Sequence, residues 1–313
     1  MHNKLIKLLP FLVSLLFFMT AIANAQSESD AYQIRSFQTN SSPNVNVSTS
    51  GGFVHVYGHD TNEVKVIMYA RSNNRYLTQS ENDLSDFDVV ISQSGNEITA
   101  TAQRKNNTRS GFFRRDNNIS ISFEVYVPVQ SVVDGRTSGG SVKAVNISNN
   151  LNLRTSGGSV TATNIHGNAE LRTSGGTIRL EDLSGRISAR TSGGSVRVNG
   201  IEGEADIRTS GGSIRIENSG AKLSARTSGG SINAAFHTFR DDIELRTSGG
   251  SIQITIPETE HFNLDLTGSR VNTQLRNFTG TSERNKISGR IGEGGPSVVA
   301  RTSGGSVTLN YNQ

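Results

Sequence analysis

The chain has 313 residues, 33% of them hydrophobic and 33 of them glycine, with no tryptophan and no cysteine. That composition excludes a disulfide-held or thiolate-metal fold and suits a thin, repetitive β structure better than a compact α/β enzyme. The formal charge of +4 falls to +2 without Lys4 and Lys7 of the leader, which gives no support for nucleic-acid binding.

Those two lysines precede an apolar run from Leu8 to Met19 and the small-residue stretch Ala21-Ile22-Ala23-Asn24-Ala25. This is the layout of a secretory signal, with cleavage expected after Ala25. The run contains Pro10 and falls short of the roughly 18 to 20 residues that span a bilayer as a helix. No later segment is long and apolar enough to cross as a helix. The mature chain is therefore expected in the periplasm, at the cell surface or outside the cell.

Residues 26–135 read as an irregular β region that caps a solenoid. Strand signals fall at Val64–Met68, Asp88–Ile91 and Ile119–Val127, while Arg71 to Asp86 and Arg104 to Asn118 are polar and read as loops. The second loop carries Arg104, Lys105, Arg109, Arg114 and Arg115 around Phe112 and Phe113. It is a candidate contact surface for a partner or an anionic envelope surface. His55, His59 and Asp60 form a local cluster of metal-ligand residue types. On one strand, residues four apart sit about 13 Å from end to end, so no metal site is assigned.

From residue 136 onward the chain repeats. The hexapeptide Arg-Thr-Ser-Gly-Gly-Ser/Thr begins at Arg136, Arg154, Arg172, Arg190, Arg208, Arg226, Arg246 and Arg301. The spacing is 18 residues five times, then 20, then 55, and the last reads as three divergent units spanning 257–300. Within each unit apolar residues alternate at the strand period, as in Val160 and Ala162 or Ala169 and Leu171. Large and small residues exchange places between successive units: Ala169 with Leu171, Ile187 with Ala189, Ala205 with Ile207, Leu223 with Ala225. Stacked units would interdigitate at constant volume. A parallel solenoid closes its own core, whereas an antiparallel meander would leave one face of a long sheet for helices the sequence does not contain. Strands of four to six residues are too short for a transmembrane barrel, which needs about 9 to 11.

Each member of the hexapeptide has a prosaic reading beside a functional one. Stacked at strand spacing, Arg154, Arg172, Arg190, Arg208 and Arg226 would repel by about 0.8 kcal/mol per neighbouring pair in water. They form a candidate stripe for an acidic polysaccharide or other polyanion, widened by Lys143, Arg179, Arg197 and Arg215 across the turn. Glu170, Asp206 and Glu244, two residues before every second arginine, would balance much of that charge. The glycines are expected to serve positive φ, and they lack the lysine and hydroxyl of a phosphate-binding loop. The threonine is expected to face inward in a column of hydroxyls that satisfies itself along the axis. Calcium-binding solenoid repeats need an aspartate where this chain has serine or threonine.

Four segments carry a family resemblance: Ser48-Thr49-Ser50-Gly51-Gly52-Phe53-Val54-His55-Val56, the strand Phe123-Glu124-Val125-Tyr126-Val127-Pro128, the Thr-Ser-Gly-Gly-Ser-Val ladder, and Ile287-Ser288-Gly289-Arg290-Ile291-Gly292-Glu293-Gly294-Gly295 leading to Arg301-Thr302-Ser303-Gly304-Gly305. Together they resemble the putative adhesin family of exported bacterial proteins, a domain of unknown function, from about Gln38 to Tyr311. The resemblance implies a single-stranded parallel β-helix in a cell-envelope setting and no catalytic residues to carry over.

The expected fold is thus all-β, a single-stranded parallel β-solenoid with about 18 residues per coil. Right-handed coiling is the expectation, although no residue fixes the hand. Residues 1–25 are the leader, 26–135 the cap and 136–313 the regular repeats. The expected function is a non-enzymatic envelope protein, an adhesin or binding scaffold for a glycan, polymer or protein partner, with no cofactor, metal or catalytic residue assigned. A carbohydrate-active enzyme on the same scaffold, or a structural or envelope-stress component, are the alternatives. Glu258, Glu260, His261 and Asp265, between Pro257 and Pro296, are the place to seek a catalytic exception.

Overall fold

The computed structural model describes residues 28–81, 84–105 and 119–312. The expected leader and the loop residues Arg109, Phe112, Phe113, Arg114 and Arg115 lie outside them. Among the described residues there is one 3-10 turn, Glu28–Asp30, and all other regular structure is strand. The chain is a single-stranded parallel β-solenoid.

At the N-terminal end the spatial order departs from the chain order. The strands are β1 (Gln33–Gln38), β2 (Asn44–Thr49), β3 (Val54–His59), β4 (Glu63–Ser72), β5 (Arg75–Tyr76), β6 (Phe87–Ser94), β7 (Glu97–Arg104) and β8 (Ile119–Pro128). β2 and β3 make one coil around Ser50-Gly51-Gly52. β7 lies parallel to β2 and β8 parallel to β3, so they form the coil outside it. On its inner side lie β9 (Val132–Thr137) and β10 (Val142–Ile147), again parallel. The first coil is therefore locked between two later ones. Antiparallel strands then stop the stack, with β6 on β7, β4 on β8 and β1 on β4.

The regular coils comprise β11 (Leu151–Arg154), β12 (Val160–Arg172), β13 (Ile178–Arg190), β14 (Val196–Arg208), β15 (Ile214–Ser219), β16 (Lys222–Arg226), β17 (Ile232–Phe236), β18 (Ile243–Thr247) and β19 (Ile252–Pro257). They pair in register, shifted only between Ile216 and Ser219 where β15 meets β17, for example Ala169↔Ile187↔Ala205↔Leu223 beside Leu171↔Ala189↔Ile207↔Ala225. The exchange of large and small residues thus falls between direct neighbours, and all of these side chains are buried. A further core column, Ile147, Ile165, Leu183 and Ile201, fills the end of the coil opposite the glycine turn. A reading of two strands per unit overlooks it. The residue before each of these is left-handed: Asn146 at φ 59°, Asn164 at 53°, Asp182 at 55° and Gly200 at 74°. Asn, Asp and Gly tolerate that conformation best, and the bend it makes turns the next side chain inward.

The glycine turn is built differently from the sequence expectation. None of the Ser-Gly-Gly-Ser glycines has a positive φ; those with one lie elsewhere, such as Gly167, Gly185 and Gly203. The second glycine is required by close approach instead. A Cβ on Gly158, Gly176 or Gly194 would lie 1.8–1.9 Å from the carbonyl oxygen of the corresponding glycine one coil earlier. The first glycine is not so confined, since a Cβ on Gly175 or Gly193 would meet its nearest neighbour at 3.6 or 3.7 Å. The threonines face inward and are buried, but their hydroxyls do not bond to one another. Thr191 Oγ1 donates to the Gly176 carbonyl of the coil before at 2.9 Å and accepts from the Gly194 N–H of its own turn at 3.3 Å. The same clamp recurs at Thr137, Thr155, Thr173, Thr209, Thr227, Thr247 and Thr302.

The 55-residue gap does not hold three stacked units. The strands there are β20 (Phe262–Thr267), β21 (Val271–Thr273), β22 (Phe278–Ser282), β23 (Lys286–Ile291), β24 (Ser297–Thr302) and β25 (Val307–Asn312). The last coil, β24 and β25, stacks directly on β18 and β19, and β20 and β21 stack outside it. β23 and β22 then add an antiparallel ribbon on β20. The last strand, β25, is thus tucked one coil in from the end of the stack, paired with β19 on one side and β21 on the other. A terminal strand paired on both sides cannot fray without breaking two ladders, and β1, β6 and β22 leave their free edges on antiparallel strands.

Candidate functional site

The register sets Arg136, Arg154, Arg172, Arg190, Arg208, Arg226, Arg246 and Arg301 in single file, ended by Ser48 and Thr267. The residues two places earlier share the same face, and five of the file's neighbours are carboxylates. Asp134 takes Arg136 Nε at 2.6 Å, and Glu170 holds Arg172 and, at 3.4 Å, Arg154. Asp206 holds Arg190 and Arg208 at 2.9 Å each, Glu244 holds Arg226 at 2.9 Å and Arg246 at 2.6 Å, and Asp265 holds Arg301. Every guanidinium of the file is ion-paired, yet eight arginines against five acids leave three net positive charges. These pairs are roughly half-exposed, so each contributes at most about 1 kcal/mol. Burial works to raise the Asp206 carboxyl, but hydrogen bonds from Arg190 and Arg208 outweigh it and hold the group below the usual carboxylate range.

Beside the file runs an open groove of about 910 Å³. Its walls are Arg136, Arg154, Arg172 and Arg190 and the exposed Ser138, Ser156, Ser174 and Ser192, with the threonines between them as floor. Gln103 and Arg104 line it at the outermost coil. At about 4.8 Å per coil, guanidinium and hydroxyl groups recur along it like rungs. Sequence reasoning found the arginines but not the serine wall, which only the fold separates from the threonines.

The second basic row lies apart from this groove. Lys143, Arg179, Arg197 and Arg215 stand on the other side of the turn and do not line the groove. Arg215 pairs with Glu217 at 2.8 Å, and Lys143 lies 5.3 Å from the centre of the Tyr57 ring. Of the basic loop, Arg104 lies 5.9 Å from the Phe87 ring centre and Lys105 Nζ donates to the Ser85 carbonyl at 3.0 Å. The remaining loop residues lie outside the described residues.

The other singled-out residues do not converge. His59 Nδ1 accepts from the Thr61 N–H at 3.0 Å, while His55 stacks on Phe53 at 4.3 Å. Asp265 belongs to the arginine file, Glu258 pairs with Arg276 at 3.3 Å, and His261 Nδ1 accepts from the Glu293 N–H at 3.0 Å. Among the described residues no three His, Asp or Glu side chains are grouped to hold a metal ion.

His55 carries a pH dependence of its own. Burial, aided by the charge of Lys143, lowers its pKa from 6.5 to about 4. The unfolded chain takes up the proton first, so stability is full above about pH 6.5, falls as pH drops toward 4 and then levels. The total loss is at most about 3 kcal/mol. Urea midpoints measured from pH 7.5 to 4 are expected to slope downward in that window, and His55→Phe to flatten the slope. An unchanged slope in the variant would assign the effect elsewhere.

A parallel β-solenoid with a one-sided, repeating cation and hydroxyl groove defines a repeat-scaffold protein. The chain belongs to the Toastrack DUF4097 family, whose pattern it matches over residues 59–310. No curated protein matches the sequence. Among solved structures it is similar to a putative adhesin from Bacteroides fragilis, at 10% identity and a TM-score of 0.34 over 90% of this chain and 96% of that one. A putative cell adhesion protein from Clostridium sporogenes aligns at 10% identity and a TM-score of 0.21 over 90% and 98%. Both likenesses are too distant to bear on what this chain binds. No helix among the described residues is long and apolar enough to cross a membrane.

Proposed function

We propose that the protein is an exported, non-enzymatic cell-envelope component that holds an acidic polymer, an acidic glycan first of all, in the arginine groove. The leader and its small-residue cleavage stretch support export. The observation that carries the binding reading is the groove itself: Arg136, Arg154, Arg172 and Arg190, part of a file whose arginines outnumber its acids, facing a row of exposed serine hydroxyls. The carboxylates there are engaged by guanidinium groups, which suits them to orienting arginines and makes them poor proton donors at neutral pH. The first glycine of each turn adds support. No turn needs it for φ, and at Gly175, Gly193 and Gly211 contact does not demand it either, yet it recurs and leaves the turn beside the exposed serines without a side chain.

Calorimetric titration with polygalacturonate and with neutral dextran tests this reading. Binding is expected for the acidic polymer alone, weakened by salt. Arg154→Glu with Arg172→Glu is expected to weaken it by about a hundredfold, near tenfold per guanidinium lost, with the fold intact by circular dichroism. Equal binding of both polymers, or shortened polymer chains after incubation, would overturn it.

A further inference from the structure

The two ends of the solenoid are finished differently. At the C-terminal end the rim strand β22 is largely exposed and polar, Phe278-Thr279-Gly280-Thr281-Ser282, and is broken by Gly280 at φ 155°. Such an edge is a poor template for another strand. At the N-terminal end the rims are β1 and β6, each paired on one side only. Between them opens a groove of about 560 Å³ onto the end of the core, lined by Met68, Leu84, Phe87, Val89 and Ile91. Ile34 on β1 and Val90 on β6, 42% and 39% exposed, are the exposed large hydrophobic residues among those described. These two residues thus belong to the two strands whose edges are unpaired at one end.

Charge indicates the occupant. Arg35 of β1 and Asp88 of β6 line this same groove, and neither makes an ion pair within the described residues. A surface with an apolar floor and one unpaired charge of each sign on opposite rims is self-complementary: a two-fold axis that sets each β1 edge against the other copy's β6 edge satisfies both charges twice. We propose that the N-terminal end is a self-association surface on which a second copy stacks end to end, Arg35 of each protomer meeting the partner's Asp88. The stack then continues across the junction, the unpaired edges are covered and the apolar groove is closed. This inference is independent of what the arginine groove binds.

Sedimentation velocity of the purified protein over a wide concentration range tests it. A concentration-dependent dimer is expected. Ile34→Lys and Val90→Lys are each expected to weaken association by at least about tenfold while circular dichroism stays unchanged. Arg35→Glu alone is expected to weaken the dimer, and Arg35→Glu with Asp88→Arg to restore it, because the two-fold pairs the swapped charges again. A monomer at every concentration, or a double variant no better than the single one, would overturn the proposal and leave this end as a seat for a strand of another protein.

Discussion

Gly176→Ala is expected to destabilise the protein by about 3 kcal/mol or more, while Gly175→Ala, one residue earlier, is expected to be neutral or stabilising by about 0.5 kcal/mol. The contrast follows from one distance. A Cβ on Gly176 would sit 1.9 Å from the Gly158 oxygen and 2.4 Å from its carbon, a backbone that is itself held by the coils on either side. No rotamer change relieves such an overlap, so the stack must part locally. A Cβ on Gly175 meets the Gly157 oxygen at 3.6 Å, an ordinary contact, and alanine there lowers the entropy of the unfolded chain. Urea midpoints of the two variants measure the difference. Equal losses in both would show that backbone conformation, rather than coil-to-coil approach, selects the glycines. The Gly175 variant has a second use, since it leaves the fold standing while adding a side chain to the serine rim and so probes the rim in polymer binding.

Thr191→Val is expected to cost about 3 kcal/mol, and Thr191→Ser to cost less than half of that. Valine keeps the shape and the burial of threonine but strands two backbone groups, the Gly176 carbonyl and the Gly194 N–H, which the hydroxyl joins at 2.9 and 3.3 Å. Each buried polar group left without a partner costs about 1–3 kcal/mol. Serine keeps the hydroxyl and loses only a methyl group. Hydrogen exchange at the Gly194 amide gives a local readout, with faster exchange expected in the valine variant and native protection in the serine one. A valine variant as stable as the parent would mean that the threonine serves packing alone.

Much of this molecule is legible in its sequence, because the solenoid is a local code repeated. The alternation of Val160 with Ala162, or Ala169 with Leu171, names the inward face. The exchange of large and small residues between units requires that those units touch. The pairing of Glu170, Asp206 and Glu244 with the arginines could be anticipated in the same way, since residues two apart on a strand share a face. Other features left fainter traces. The strand β7 runs through Glu97-Ile98-Thr99-Ala100-Thr101-Ala102, whose period of two is clear but whose small residues give little hydrophobic signal. The corner column of Ile165, Leu183 and Ile201 keeps the phase of the second strand of its unit but falls out of phase with the first. Only the left-handed residue before it explains why it points inward.

Side-chain alternation and the 18-residue repeat, properties of each turn and its like, set the coil, its length, most of its core and the single file of arginines. Tertiary structure decided which coil lies against which at the two ends, and what the glycines and threonines of the turn are for. The stretch between Arg246 and Arg301 reads as more repeats, yet the final coil slips inside it and pairs with β18 and β19. A parallel edge accepts any strand that brings matching alternation, and the choice among candidates depends on how both partners' edges and caps are satisfied together. That is a long-range balance, as is the 1.9 Å approach of one turn's Cβ position to another turn's carbonyl oxygen. Neither is written within any single repeat.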